Sequence, residues 1–298
     1  MEEASGFKSG FVAIVGPPNA GKSTLLNRIL GQKISITSKK PQTTRNRILG
    51  IAHNPNSQMV FLDTPGIHKA SKPLNVRIVD VALATLAEAD LILFVADASS
   101  ARPEAEQFLI TKLRSQKTGA ILALNKIDLI KKPKLLEAMD GWARAYRFLA
   151  QVPISAKTGE QVDVLIREME KALPEGPPFY PPDSLTDMPE KFLAAELIRE
   201  KAIRFTGQEL PYAVAVTIDA FKEDGRDNMV VIHATLHVER NSQKGIIIGR
   251  GGKKLRQIGR AARLSIERLL GCKVYLELFV RVQKNWSRDT RALRKFGY

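Results

Sequence analysis

The octapeptide GPPNAGKS (Gly16–Ser23) stands between a continuous apolar run, FVAIV, and an amphipathic stretch, STLLNRIL. This junction constrains the chain more than any other feature. An apolar run without polar alternation reads as a strand buried on both faces. A helix leaving it through a glycine-rich turn brings backbone N–H groups and the positive helix end to one point, where an anion can sit. The spacing GxxxxGK[ST] is that of a phosphate-binding loop. Gly16, Pro17, Pro18, Asn19, Ala20 and Gly21 would wrap the phosphates, Lys22 would reach the terminal ones, and Ser23 would place a hydroxyl on Mg²⁺.

The pattern repeats up to about residue 173. Apolar runs MVFLDT, LILFVADAS, AILALNK and VPISAK alternate with helical stretches such as VDVLIREMEKAL. Such alternation predicts an α/β fold with a mostly parallel sheet covered on both faces. Ligands in such sheets bind at the carboxyl ends of the strands, and three further motifs fall there. In DTPG (Asp63, Thr64, Pro65, Gly66), Asp63 would hold Mg²⁺ through water and the Gly66 N–H would meet a γ-phosphate. In NKID (Asn125, Lys126, Ile127, Asp128), the Asp128 carboxylate can accept two N–H bonds from guanine, a donor pair that adenine lacks. Asn125 would brace the loop, with the Lys126 stem along the ring. In SAK (Ser155, Ala156, Lys157), the Ala156 N–H suits the guanine oxygen. The order and spacing point to GTP bound and hydrolysed with Mg²⁺, and to Lys22, Thr43, Thr44 and Gly66 as the groups nearest the chemistry.

Between the first helix and DTPG lies SKKPQTTRNRI (Ser38–Ile48), polar and basic, expected as a mobile loop. Thr43 and Thr44 are the candidates for a second hydroxyl on Mg²⁺; spacing does not separate them. Arg45 is expected to face solvent or RNA. Ile67, directly after DTPG, offers no proton acceptor to an attacking water. His68 is the candidate base beside it, against the plainer reading of an exposed loop histidine.

PEGPPFYPP (Pro174–Pro182) predicts a stiff extended linker. Beyond it the order changes to helix, two strands, two helices and a strand. GIIIGRGGKKLRQIG places GRGG (Gly249, Arg250, Gly251, Gly252) between two helices, with Lys253, Lys254 and Arg256 beside it. This is the GxxG arrangement whose glycines let a nucleic-acid backbone approach, with apolar Ile246, Ile247 and Ile248 lining a groove for about four unpaired bases. Charge points the same way. The chain carries a net +15, and residues 244–298 hold 15 Lys+Arg against 3 Asp+Glu. That excess fits a polyanion, either nucleic acid or an anionic membrane face. In the tail, Trp286, Phe296 and Tyr298 among arginines either stack bases or pin the last helix; pinning is the favoured reading.

One cysteine, Cys272, excludes an internal disulfide and a cysteine-based zinc site. It is expected to be a small buried residue. The start of the chain has neither the basic segment nor the apolar run of a secretion signal, so a cytoplasmic location is expected.

Residues 10–173, with GPPNAGKS matching GxPNxGKS, resemble the translation-factor-like GTPases. With QKISITSKKPQTTRNRI and the GxxG module, the similarity covers nearly the whole chain and is to the Era family. The resemblance implies a GTPase (G) domain over 1–173, a Pro-rich linker over 174–184, and an α+β prokaryotic-type (type II) KH domain with a basic tail over 185–298. It implies binding to the 3′ end of 16S ribosomal RNA and a switching role in 30S subunit assembly, by a monomer that hydrolyses GTP slowly without a partner. It also implies a K⁺ ion beside Asn19. An RNA chaperone that uses nucleotide only as an occupancy signal, and a regulatory GTPase recruited to the inner face of the membrane, are the alternatives.

Overall fold

The computed structural model describes residues 6–37, 43–66, 84–100, 103–207, 214–224 and 228–296. They form two compact units, one of Met1–Ser35, Thr44–Ser71 and Val76–Asp187, the other of Ile36–Thr43, Lys72–Asn75 and Met188–Tyr298. Ile67, His68, the tip of the loop before DTPG and Tyr298 lie outside the described residues.

The first unit is built on six strands: β1 (Lys8–Val15), β2 (Ile48–Asn54), β3 (Ser57–Asp63), β4 (Leu91–Asp97), β5 (Ala120–Asn125) and β6 (Ala150–Ile154). Their order in the sheet is β2-β3-β1-β4-β5-β6. All neighbouring pairs are parallel except β2 with β3, an antiparallel edge hairpin. Sequence patterning gives no warning of β2, because its apolar ILGIA merges with the preceding loop.

Helix α1 (Lys22–Leu30) follows β1, with α2 (Pro103–Arg114), α3 (Lys132–Ala145) and α4 (Val162–Ala172) further along the chain. One face of the sheet, with Ala13, Val15, Ile92, Phe94, Leu122 and Leu124, packs on Leu109 and Leu113 of α2 and on Trp142 of α3. The alternate residues Val12, Ile14, Leu93 and Val95 are equally buried, as a sheet covered on both sides requires. The chain runs from β1 to β3 on one side and then to β4 on the other. That reversal places the loop after β1 at the crevice where such sheets bind ligands.

The proline-rich stretch is docked along the first unit. Gln58 accepts the Phe179 and Tyr180 N–H groups at 2.7 and 3.0 Å and donates to the Tyr180 carbonyl at 2.8 Å. Phe179 packs on Phe11, ring centroids 5.0 Å apart. The Ile51 N–H bonds the Leu185 carbonyl at 2.9 Å.

The second unit has the order α5 (Glu190–Phe205), β7 (Ala215–Asp224), β8 (Met229–Val238), α6 (Asn241–Ile248), α7 (Lys253–Leu270), β9 (Lys273–Val282) and a short α8 (Thr290–Lys295). Strands β7 and β8 are antiparallel, and β8 and β9 parallel. A core of Leu197, Ile198, Ile232, Ala234, Leu236, Ile247, Ile258 and Ile266 joins helices to sheet. Ile247 is thus core rather than groove, and Ile246, half-buried, packs against the same core. Cys272 is half-buried against this core. Trp286 is fully buried and meets Phe296 edge-on at 5.2 Å, and Phe296 lies 4.5 Å from the His237 ring. The aromatic tail residues that are described pin α8.

Candidate functional site

At the end of β1 the backbone must turn within a very small space. Gly16 has φ 157°, and a Cβ there would lie 2.1 Å from the Val95 carbonyl oxygen. Gly21 has φ 100°, and a Cβ there would come 2.2 Å from Asn125 Nδ2. Both positions exclude a side chain. Asn19 also takes a left-handed backbone, φ 64°. Lys22, buried at the start of α1, donates to the Gly16 and Pro17 carbonyls at 3.0 and 2.9 Å. Burial lowers its pKa from 10.5 to about 8, with the Asp63 charge pulling the other way.

Asp63 ends β3 fully buried. Its Oδ2 accepts from Ser23 Oγ and from Ser35 Oγ, each at 2.7 Å. Burial raises its pKa, against those two hydroxyls and the Lys22 charge. Its Oδ1 is buried with no hydrogen-bond partner among the described residues, an expensive condition for a carboxylate oxygen. Thr44 Oγ1 lies 2.9 Å from Ser23 Oγ. One carboxylate and two hydroxyls, with a bare carboxylate oxygen among them, suit a hard divalent cation that takes its remaining ligands from water and phosphate.

Thr64 Oγ1 anchors DTPG on the Ile14 carbonyl at 2.7 Å. A Cβ at Gly66 would stand 2.8 Å from Pro18 Cα, so this motif lies against the phosphate loop.

The base-recognition motifs converge by direct bonds. Asn125 Nδ2 donates to the Ala20 carbonyl at 2.8 Å, and its Oδ1 accepts the Lys126 and Ala156 N–H groups at 2.8 and 2.9 Å. The Ala156 N–H, expected for the guanine oxygen, is therefore shared with Asn125. Ser155 Oγ donates to Asp128 Oδ1 at 2.7 Å, which fixes the carboxylate's orientation. Lys126 pairs with Asp97 at the end of β4.

Asp97, Ser35 and Asn27 were not singled out from sequence. Asn27 clasps the chain ahead of the polar loop, accepting the Ile34 and Ser35 N–H groups at 3.0 and 2.9 Å. Asn27 is at an i, i+4 offset from Ser23 on α1, the one signal that could have flagged it.

Thr43, Thr44 and Arg45 are all buried, so Arg45 is not solvent-facing. In the second unit, Arg199 makes a buried ion pair with Glu196 at 2.6 Å and donates to the Thr43 carbonyl at 2.6 Å.

The GRGG loop links α6 to α7 as a 3-10 turn, with Gly251 and Gly252 at φ 57° and 73°. Among the described residues outside the loop's own chain neighbours, nothing lies within 4 Å of a Cβ at either. Arg250 and Lys253 are exposed and Lys254 half-buried. Arg256 Nη2 is 2.7 Å from the Gly251 carbonyl, so it braces the loop itself.

A phosphate loop, a guanine-type loop pair and a helix–GxxG–helix module define a GTP-hydrolysing protein with a KH domain. Residues 11–126 match the family described as 50S ribosome-binding GTPase, and residues 209–287 match the KH domain. The chain is 55% identical over 292 residues to GTPase Era of Geobacter metallireducens, covering 98% of both chains. It is 51% identical to GTPase Era of Syntrophus aciditrophicus, covering 98% of this chain and 95% of that one. Its fold matches Aquifex aeolicus Era bound to GDP·AlF₄⁻, with TM-score 0.94, 43% identity and coverage of 98% and 99%. A structure of Era with MgGDPNP and nucleotides 1506–1542 of 16S ribosomal RNA matches with the same TM-score, identity and coverage. The chain belongs to the Era family of GTPases.

Proposed function

We propose that this chain is a GTP-dependent switch that binds the 3′ end of 16S ribosomal RNA during assembly of the 30S subunit. The observation that carries this reading is the convergence of the phosphate loop with DTPG, NKID and SAK in one unit, together with an open, basic GRGG loop in the other. The Era relative solved with a 16S fragment supports the choice of RNA.

In this proposal Gly16–Ser23 wraps the phosphates, and Lys22 exchanges two backbone carbonyls for terminal phosphate oxygens. The Gly66 N–H meets the γ-phosphate. Asp128 reads the guanine N–H pair, and Ala156 its oxygen. Ser23 and Thr44 hold Mg²⁺ directly and Asp63 holds it through water; the proximity of Thr44 Oγ1 to Ser23 favours Thr44 over Thr43. When bound, Mg²⁺ neutralises charge that builds on the phosphates. A K⁺ ion beside Asn19 is part of the proposal, with faster turnover in KCl than in NaCl as its sign. Arg250, Lys253 and Lys254 contact RNA phosphates, and Gly249, Gly251 and Gly252 admit the backbone.

Hydrolysis without RNA is slow, since the residue after DTPG is an isoleucine. The protein acts as a cytoplasmic monomer. Among the described residues no helix is long and apolar enough to cross a membrane.

The test is single-turnover GTP hydrolysis by the full chain with and without a 16S 3′-end RNA. Liposome flotation with anionic vesicles runs beside it. RNA-dependent turnover without flotation supports the switch; flotation with no RNA effect points to a membrane-recruited GTPase.

A further inference from the structure

We propose that Arg28 is a positioning residue for guanine recognition, tying the loop that reads the base to the helix that starts at the phosphates. The inference rests on the reading that Asp128 and the Ala156 N–H contact guanine.

Arg28 lies in the last turn of α1, six residues beyond Lys22. Its Nε donates to the Ala156 carbonyl at 3.2 Å and its Nη2 to the next carbonyl, that of Lys157. A guanidinium suits this role because its planar fork presents two donors to two neighbouring acceptors, where an ammonium presents a single point. The two carbonyls belong to consecutive peptide planes just beyond the Ala156 N–H, so the bonds set the direction of the segment that carries that donor.

The loop needs an external tie. Its internal bonds close it only on itself: the Ser155 N–H bonds the Glu160 carbonyl at 3.0 Å, and the Gly159 N–H bonds the Ser155 carbonyl at 2.8 Å. Ser155 Oγ ties it to Asp128. Toward the phosphate side, the tie besides Arg28 runs through Asn125, which receives the Ala156 N–H and donates to Ala20. A guanine oxygen competes for that same N–H. As the base takes it, the Asn125 tie weakens at this atom, and the two Arg28 bonds keep the amide aimed. Sites built on oriented donors lose discrimination when the donor is free to swing.

Arg28 also has a plainer role, as a cation in the last turn of a helix, where it complements the helix dipole. The two roles separate by ligand. Inosine triphosphate lacks the exocyclic amine that Asp128 reads. 6-Thioguanosine triphosphate keeps both N–H groups but replaces the oxygen with a poor acceptor.

The experiment measures displacement affinities of GTP, 6-thio-GTP and ITP on the full chain, for wild type, Arg28→Lys and Arg28→Ala, with thermal unfolding alongside. For Arg28→Ala the expected result is a loss of GTP affinity on the order of tenfold, as for removing charge-assisted bonds near a surface. The GTP preference over 6-thio-GTP collapses, and the preference over ITP stays. Arg28→Lys falls between. Wild-type ratios in Arg28→Ala, or an equal loss for all three nucleotides with a lowered unfolding temperature, would overturn the proposal. A wild-type protein that does not prefer GTP to ITP would instead overturn the guanine-site reading beneath it.

Discussion

Asn125 Nδ2 donates to the Ala20 carbonyl at 2.8 Å, joining the base loop to the phosphate loop across 105 residues of chain. The same amide accepts two backbone N–H groups through its oxygen. Asn125→Ala strands three groups, two of them buried, at about 1–3 kcal/mol for each buried group left unsatisfied. The expected outcome is a loss of at least about 2 kcal/mol in urea unfolding of the nucleotide-free protein, with weaker GTP binding in equilibrium dialysis.

In the proposed site the Asp128 carboxylate, oriented by Ser155 Oγ, accepts the two N–H donors of guanine. Asp128→Asn presents an NH₂ instead, which suits a ring with a carbonyl at that edge. GTP affinity is expected to fall by roughly 10⁴-fold while xanthosine triphosphate gains, in a competition assay against labelled nucleotide.

Lys22 gives the site a pH signature. Its folded pKa, about 8, lies below the ordinary 10.5, so between those values the unfolded chain binds more protons than the native one. Stability of the nucleotide-free protein therefore rises with pH across that window. Asp63 runs the other way: its raised pKa adds stability as pH falls through its folded value toward 3.8. Subtracting the urea-unfolding profile of Lys22→Met from that of wild type, from about pH 8 to the ordinary 10.5, isolates the lysine. The expected difference has a positive slope, and a flat one contradicts the burial argument.

Trp286 is fully buried against Phe296. Trp286→Ala is expected to cost about 3–5 kcal/mol in the unfolding of the second unit, with GTP affinity unchanged. Loss of RNA affinity without loss of stability would mean that the indole stacks on bases.

What the sequence disclosed is local. GPPNAGKS, DTPG, NKID and SAK are legible because each needs particular residue types at fixed spacing where a buried strand ends, and buried strands are visible as unbroken apolar runs. GRGG is legible for a similar reason, lying between two helical stretches in a basic segment. Long-range pairings were not visible. Nothing around Arg28 signals that its guanidinium meets Ala156, 128 residues on, nor around Arg199 that it holds the Thr43 carbonyl. Strand β2 was missed because its partner β3, and not its own pattern, makes it a strand. The proline-rich stretch reads as a stiff extended linker, yet one side chain, Gln58, ties down three of its backbone groups.

The most direct test is RNA affinity of the GTP-analogue-loaded protein over a salt series, for wild type and for a variant carrying Gly251→Asp and Gly252→Asp. The probes are a 16S 3′-end RNA and a shuffled RNA of equal length. Both glycines have left-handed φ and open space around them, so in the proposed RNA site the aspartates would stand where the RNA backbone approaches and repel it. Wild type is expected to prefer the 16S sequence, and the variant to lose binding at least about tenfold while GTP affinity holds. Lys253→Ala with Lys254→Ala should weaken both RNAs alike and flatten the salt slope by up to about 0.7 per lost contact. If the glycine variant binds the 16S 3′ end as tightly as wild type does, the RNA site lies elsewhere and the central claim is wrong.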